Sequence, residues 1–254
     1  MTVTVNLSGK VALVTGASSG IGRGVAVALA KSGCHVFINF PPHEGENAAL
    51  LVQSEIQQHA GLASLAPADV SSEHEVGQMF SALMATAGRL DILVNNAGIA
   101  RSAPVEKITM DDWKAVMEVH VNGTFLCTRA ALPIMYQQDS GRIINTASQL
   151  AYKGAPGFAH YTAAKGAILS FTRTLTLEIG TRNITANCVA PGATLTPILE
   201  EVPNDILEDI RQAIPRGKLA EVEDIVGSFI FLASDSAAHF RGQCLSPNGG
   251  DVFL

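Results

Sequence analysis

Val11-Ala12-Leu13-Val14-Thr15-Gly16-Ala17-Ser18-Ser19-Gly20-Ile21-Gly22 is the stretch whose reading decides the fold. Its first half, Val11 to Gly16, reads as a buried strand, and the residues from Ile21 to Ser32 are rich in Ala, Val and Leu in the manner of a buried helix. Between them lies a Gly-x3-Gly-x-Gly turn. Glycines suit such a turn where backbone amides must approach a ligand closely, and the N-terminus of the helix that follows offers free N–H groups and positive dipole to an anion such as a pyrophosphate. The spacing differs from Gly-x-Gly-x2-Gly, so the argument rests on strand, turn and helix in that order.

Working outward, strand-like runs recur at His35 to Phe40, Ser64 to Asp69, Asp91 to Ala97, Gly141 to Ser148, Ile184 to Ala190 and Gln243 to Pro247. Helix-length stretches separate them: Glu44 to His59, Ser72 to Ala87, Met110 to Gln138 and Tyr161 to Gly180. This alternation predicts an α/β fold, a doubly wound parallel sheet with helices on both faces. No linker divides the 254 residues, so residues 1–254 are expected to form one dinucleotide-binding domain. In such sheets ligands sit beyond the carboxyl ends of the strands. Polar punctuation falls there repeatedly: Gly16 to Gly22, Asp69, Asn95-Asn96-Ala97-Gly98, Ser148 and Pro191-Gly192.

Composition narrows the function. Hydrophobic residues make up 47% of the chain and the net charge is −6, which argues for a large core and against the basic patch that nucleic acid requires. No apolar run is long enough to span a bilayer, and the residues from Met1 to Leu7 lack a signal peptide's basic and apolar regions, so a cytoplasmic protein is expected. Cys34, Cys127, Cys188 and Cys244 are scattered without a Cys-x2-Cys pair, which predicts free thiols and no metal site.

The chemistry is expected at Tyr161 and Lys165. Residues i and i+4 share a helix face, so phenol and ammonium can enter one cleft, and a neighbouring cation favours phenolate. Ser148 lies at the end of an apolar strand just upstream.

Taken together and in order, Thr15-Gly16-x3-Gly20-Ile21-Gly22, Asp69-Val70, Asn95-Asn96-Ala97-Gly98, the Asn122 region, Ser148, Tyr161-x3-Lys165 and Pro191-Gly192-x3-Thr196 make the chain resemble the short-chain dehydrogenase/reductase family, from Gly9 to about Gly250. The resemblance implies a Rossmann-type domain with a seven-stranded parallel sheet, a nicotinamide cofactor and a homotetramer. Carried over residue by residue, it implies that Tyr161 is the acid that protonates a nascent alkoxide and the base in the reverse direction. Lys165 would favour the phenolate and hold the nicotinamide ribose. Ser148 would donate to the substrate oxygen, and Asn122 would hold a water that links the lysine to solvent. Cofactor contacts would come from Gly16, Ser18, Ser19, Gly20, Ile21, Gly22, Phe40, Asp69, Val70, Asn95, Ala97, Gly98, Tyr161, Lys165, Pro191, Gly192, Thr194 and Thr196. Asp69 would meet the adenine, and Pro191 and Thr196 the nicotinamide end.

The end of the second predicted strand departs from that pattern. Phe40 stands where an Asp would bind the ribose hydroxyls and repel a 2′-phosphate, and no carboxylate follows until Glu44. Basic residues are scarce too, with only Arg23 and His43 as weak substitutes. With only the repulsive element clearly absent, NADP(H) is favoured over NAD(H). Pro247-Asn248-Gly249-Gly250 also departs, since many relatives carry Asp before the glycines. The resemblance makes about 194–214 a mobile lid, with Leu195, Ile198, Leu199, Val202, Ile206, Leu207 and Ile210 inward and Glu200, Glu201, Asp205, Glu208 and Asp209 outward. Gln149, Tyr152 and Phe158, near the catalytic pair in sequence, are expected pocket walls beside Ser148 and Tyr161. The segment from Leu132 to Asp139 carries no cation. A small free ketone or secondary alcohol is therefore preferred over the alternative, a 3-oxoacyl thioester on an acidic carrier protein, whose docking wants a basic patch. A non-catalytic dinucleotide sensor would be signalled by loss of Tyr161 or Lys165, and both are present.

Overall fold

β1 (Val11–Val14) is buried at every position because it lies inside a sheet rather than at its edge. The computed structural model of the protein describes residues 5–200, 202 and 204–253. Its seven strands run in the order β3-β2-β1-β4-β5-β6-β7, all pairs parallel. The others are β2 (His35–Phe40), β3 (Leu62–Pro67), β4 (Ile92–Asn95), β5 (Gly141–Thr146), β6 (Ile184–Val189) and β7 (Cys244–Leu245). The expected fold is thus present strand for strand, with ends trimmed by a few residues where the chain leaves the sheet, except that β3 begins two residues before the expected Ser64.

Two apolar layers explain why the strands read as continuous apolar runs. Ala12, Val14, Val36, Ile38 and Val94 face α1 (Gly20–Lys31), α2 (Glu46–Gln58) and a late helix, Val222–Ala233, through Val25, Val52 and Phe229. Val11, Leu13, Phe37, Leu93 and Ile143 face α3 (Glu73–Ala87), the helix Gly123–Gln138 and the helix Ala159–Ile179 through Phe80, Met135 and Leu175. Alternate residues of one strand serve opposite layers, so both faces are mainly apolar, and buried polar side chains such as Asn39 and Asn145 are hydrogen-bonded within the fold.

The expected single helix from Met110 to Gln138 is three pieces: α4 (Met110–Met117), a π turn (Glu118–Asn122) and α5 (Gly123–Gln138). α6 (Leu150–Lys153) and α7 (Ala159–Ile179) follow β5. After β6 come α8 (Pro197–Glu200), α9 (Asn204–Ala213) and α10 (Val222–Ala233). α10, which the sequence reading did not anticipate, begins at a reciprocal capping box between Glu221 and Asp224. No described helix is long and apolar enough to cross a membrane.

Candidate active site

The strand order reverses at β1, whose neighbours are β2 on one side and β4 on the other, and the polar residues singled out above gather at the carboxyl edge around that point. Gly16 has φ +61, and a Cβ on it would stand 2.8 Å from the Ala97 Cα, so the turn after β1 and the segment after β4 meet there only because residue 16 lacks a side chain. A Cβ on Gly22 would overlap the Gly16 carbonyl oxygen. Ser19 N-caps α1 without a side-chain hydrogen bond, and the first turn of α1 has no carboxylate. Those amides therefore remain free for an anion, which fits a dinucleotide pyrophosphate. The Thr196 side chain lies 3.4 Å from the Cβ position of Gly20, so the segment after β6 also reaches this turn, and Thr194 Oγ1 donates to the Gly192 carbonyl at 2.9 Å.

Several residues near the turn are occupied by the fold itself. Asn95 is buried and its amide donates to Thr128 Oγ1 at 3.0 Å and Asn145 Oδ1 at 2.8 Å, so its side chain ties β4 to α5 and β5 rather than facing a ligand. The next residue, Asn96, donates to the Thr15 carbonyl at 3.0 Å. Asp69 is half-buried and accepts from the backbone and hydroxyl of Ser71 at 2.9 and 2.7 Å. α3 is N-capped by Ser72, and Val70 is buried against the Cβ position of Gly123. Phe40 is buried at the end of β2, not open to solvent, and Arg23 pairs with Glu55 at 2.7 Å.

Tyr161 and Lys165 occupy adjacent turns of α7, and Lys165 Nζ lies 5.6 Å from the centre of the Tyr161 ring. Lys165 is 3% exposed and donates to the Thr146 carbonyl at the end of β5, at 2.6 Å. Burial pushes its ammonium down to about 7. Burial likewise raises the Tyr161 phenol, and a hydrogen bond with Ser148 pulls partly against it. Desolvation works against the charged form of both groups, so the phenolate expected at Tyr161 would need the positive charge of the oxidised nicotinamide as well as Lys165. The site as it stands holds a neutral phenol, the form that can give up a proton. Ser148 is buried after β5, and its hydroxyl accepts from Leu150 N at 3.1 Å.

Asn122 is not part of this cluster: it is exposed at the end of the π turn. Residues two apart on a helix face opposite ways, and the side chain that enters is His120, 2% exposed, with its ring edge-on to Tyr161 at 5.4 Å. Sequence reasoning missed His120 because an uninterrupted helix was assumed across the turn. Of the expected pocket walls, Phe158 does face Tyr161, ring centres 6.2 Å apart. Gln149 is turned away, its amide donating to Asp251 at 2.7 Å, and Tyr152, half-exposed, directs its phenol at Cys244 of β7. Asn248 shapes the departing C-terminal turn by accepting from Gly250 N at 2.8 Å and donating to the Val252 carbonyl at 2.8 Å. In the lid segment, Glu201 and the side chains of Ile198 and Glu200 lie outside the described residues. Among the described residues no group of three or more His, Cys, Asp or Glu is placed to hold a metal.

Residues 16–251 match a family model described as "Enoyl-(Acyl carrier protein) reductase". The chain belongs to the short-chain dehydrogenase/reductase family. Short-chain dehydrogenase/reductases are NAD(P)-dependent oxidoreductases that act on CH–OH and keto groups, and this chain is one of them. It is 40% identical over 249 residues to a 3-oxoacyl-[acyl-carrier-protein] reductase of Synechocystis sp., covering 98% of this chain and 99% of that one. It is 37% identical over 246 residues to the (2S)-[(R)-hydroxy(phenyl)methyl]succinyl-CoA dehydrogenase subunit BbsD of Thauera aromatica, with 97% and 98% covered. Among solved members of the family, a protein of Agrobacterium tumefaciens provisionally named as a gluconate dehydrogenase superposes with a TM-score of 0.94 at 29% identity over the full length of both chains. Another, from Beutenbergia cavernae, provisionally named as an NAD(P)-dependent gluconate 5-dehydrogenase and carrying NADP at low occupancy, gives 0.91 at 35% identity, covering 97% of this chain and 98% of the other.

Proposed function

We propose that this protein interconverts small free ketones and secondary alcohols, uses NADP(H) in preference to NAD(H), and works in the cytoplasm as a homotetramer. The observation that carries the proposal is the convergence of Ser148, Tyr161 and Lys165 beside a glycine turn with an uncapped helix end. When bound, the cofactor supplies or accepts the hydride. In reduction, the Tyr161 phenol gives its proton to the alkoxide oxygen as it forms, while the Ser148 hydroxyl donates a hydrogen bond to the same oxygen. In oxidation, Tyr161 must ionise first. A free phenol near pKa ~10 is a poor base at neutral pH, and it is further raised here by burial. The positive charges of Lys165 and of the oxidised nicotinamide are what would bring it down. Gly16 to Gly22 would hold the pyrophosphate, Asp69 the adenine, and Pro191 and Thr196 the nicotinamide end, with about 194–214 closing over the substrate.

Preference for NADP(H) rests on the end of β2, where Phe40 and Pro41 leave no carboxylate to repel a 2′-phosphate. Preference for a free substrate rests on charge. Among the described residues three of the cations near the lid and α7 are paired: Lys153 with Asp251 at 2.6 Å, Arg211 with Glu208 at 2.5 Å and Lys218 with Asp224 at 2.8 Å. An acidic carrier would have to compete with those carboxylates. A second reading, reduction of a carrier-linked 3-oxoacyl thioester, is favoured by the names of several relatives at 35–40% identity.

The test is nicotinamide absorbance with NADPH and NADH in parallel against free ketones, secondary alcohols and a carrier-linked 3-oxoacyl substrate. Turnover of free ketones, faster with NADPH, is expected, and Tyr161→Phe should lower it about 10²- to 10⁴-fold while nucleotide still binds. Turnover confined to the carrier-linked substrate would replace the first reading with the second.

A further inference from the structure

Tyr161 has a neighbour that the chemistry above does not use. His120 sits in the π turn between α4 and α5, a geometry that interrupts the regular helix ladder and recurs at functional positions. Its ring is clamped at one end: Nε2 lies 2.7 Å from the Ile99 carbonyl oxygen and 3.1 Å from the Ile99 amide nitrogen. Room for the ring is made by Gly98, where any Cβ would overlap the imidazole Cε1. The other face of the arrangement is Tyr161, met edge-on at 88°.

The remaining ring nitrogen, Nδ1, is fully buried and has no hydrogen-bond partner. Buried polar atoms in that condition are uncommon, because each forfeits its hydration. In a neutral imidazole one nitrogen donates and the other accepts. The Ile99 N–H donates to Nε2 at 3.1 Å and the Ile99 carbonyl lies 2.7 Å from it, contacts that ask for opposite tautomers; with the proton on Nε2, as the shorter contact wants, the lone pair falls on Nδ1. Burial first, then the charge of Lys165, pushes His120 down to about 3, so that lone pair stays available across the working pH range.

We propose that His120 is the fourth member of this site, a positioning residue whose clamped ring fixes the Tyr161 phenol and whose Nδ1 accepts a hydrogen bond from a water or hydroxyl group of the loaded site. The inference rests on the acid–base role of Tyr161 given above. It differs from the expectation for Asn122 in residue, in face of the helix and in chemistry, since an imidazole lone pair rather than an amide is what the π turn presents.

His120→Phe retains a ring of matching size and removes both nitrogens, while His120→Gln restores a donor and an acceptor near the Nε2 position. For His120→Phe, a melting temperature within a few degrees of the parent and unchanged nucleotide affinity by calorimetry are expected. With them should come a kcat lower by about tenfold or more, the worth of a hydrogen bond to a buried group, and little change in the KM for nucleotide. The limb of the pH profile that reports the phenol should move as well. The groups facing that phenol are Lys165 from α7, His120 from the π turn and Ser148 after β5, with Cys188 of β6 close to the lysine. His120→Gln should recover part of kcat. A His120→Phe enzyme with parental kcat and pH profile overturns the role, as does a loss that only tracks lost folded protein. If His120→Phe does not fold, Gly98→Ala, which displaces the ring from outside, decides instead: reduced kcat at saturating nucleotide supports the proposal and parental kcat overturns it. Tyr161→Phe assayed alongside separates the two readings. Full turnover without the phenol removes the acid–base scheme and this role with it, whereas an inactive Tyr161→Phe beside an unaffected His120→Phe overturns the role of His120 alone.

Discussion

Lys165 is a cation held almost without solvent, and its position sets function against stability. Its pKa falls from 10.5 in an exposed chain to about 7 in the fold. Between those values the unfolded chain binds the proton and the folded one does not, so this group makes stability rise with pH from about 7 towards 10.5 and counts against the fold below 7. Lys165→Met should therefore melt no lower than the parent at pH 6, although it is inactive, and its advantage should shrink as the pH approaches 10. Thermal melts of both proteins across that range test it. A gap that widens with pH would contradict the assignment of Lys165 as the strained cation. At this scale the sequence was legible wherever local spacing suffices, as for Tyr161 and Lys165 on one face of α7. It was not legible at Asn122 and His120, because a side chain's direction there depends on a π turn that no spacing of apolar residues announces. Nor did residue type reveal which groups take up the Asn95 amide, since Thr128 and Asn145 lie across long stretches of chain.

Among the elements, the strands could be read because an inner parallel strand covered on both faces is mainly apolar, as Val11–Val14 is, and few other segments of that length are. α10 escaped because Val222–Ala233 is apolar nearly all round, so its helical period does not stand out. The turn from β1 into α1 makes the sharpest prediction for an element. Gly22→Ala would drive a methyl group into the Gly16 carbonyl, and the turn can relieve that only by moving the amides meant for the pyrophosphate. Calorimetry should show dinucleotide affinity reduced at least about tenfold, equal to ~1.4 kcal/mol, with a lower melting temperature. Undiminished affinity would mean that the turn is not the phosphate cradle.

Over the whole molecule, α4 and α5 leave Met110, Trp113, Phe125 and Tyr136 exposed, more apolar surface than a pair of solvated helices needs. The proposed homotetramer gives that surface a partner. Phe125→Asp should reduce the mass measured by light scattering from that of a tetramer of 26.6 kDa chains to that of a smaller species. An unchanged mass would place the contacts elsewhere.

The position of β1 in the sheet also has a consequence for biosynthesis. β2 is made soon after β1 and can dock on one flank, His35 beside Val11, but the other flank waits for β4, where Ile92 pairs with Ala12. While a ribosome is still extending the chain, the unpaired flank of an entirely apolar strand stands open to any other nascent strand. Slower synthesis at low temperature weakens such apolar association and lowers the concentration of half-made chains. Recombinant yield of soluble protein should therefore depend steeply on growth temperature, more than the stability of the finished enzyme would suggest.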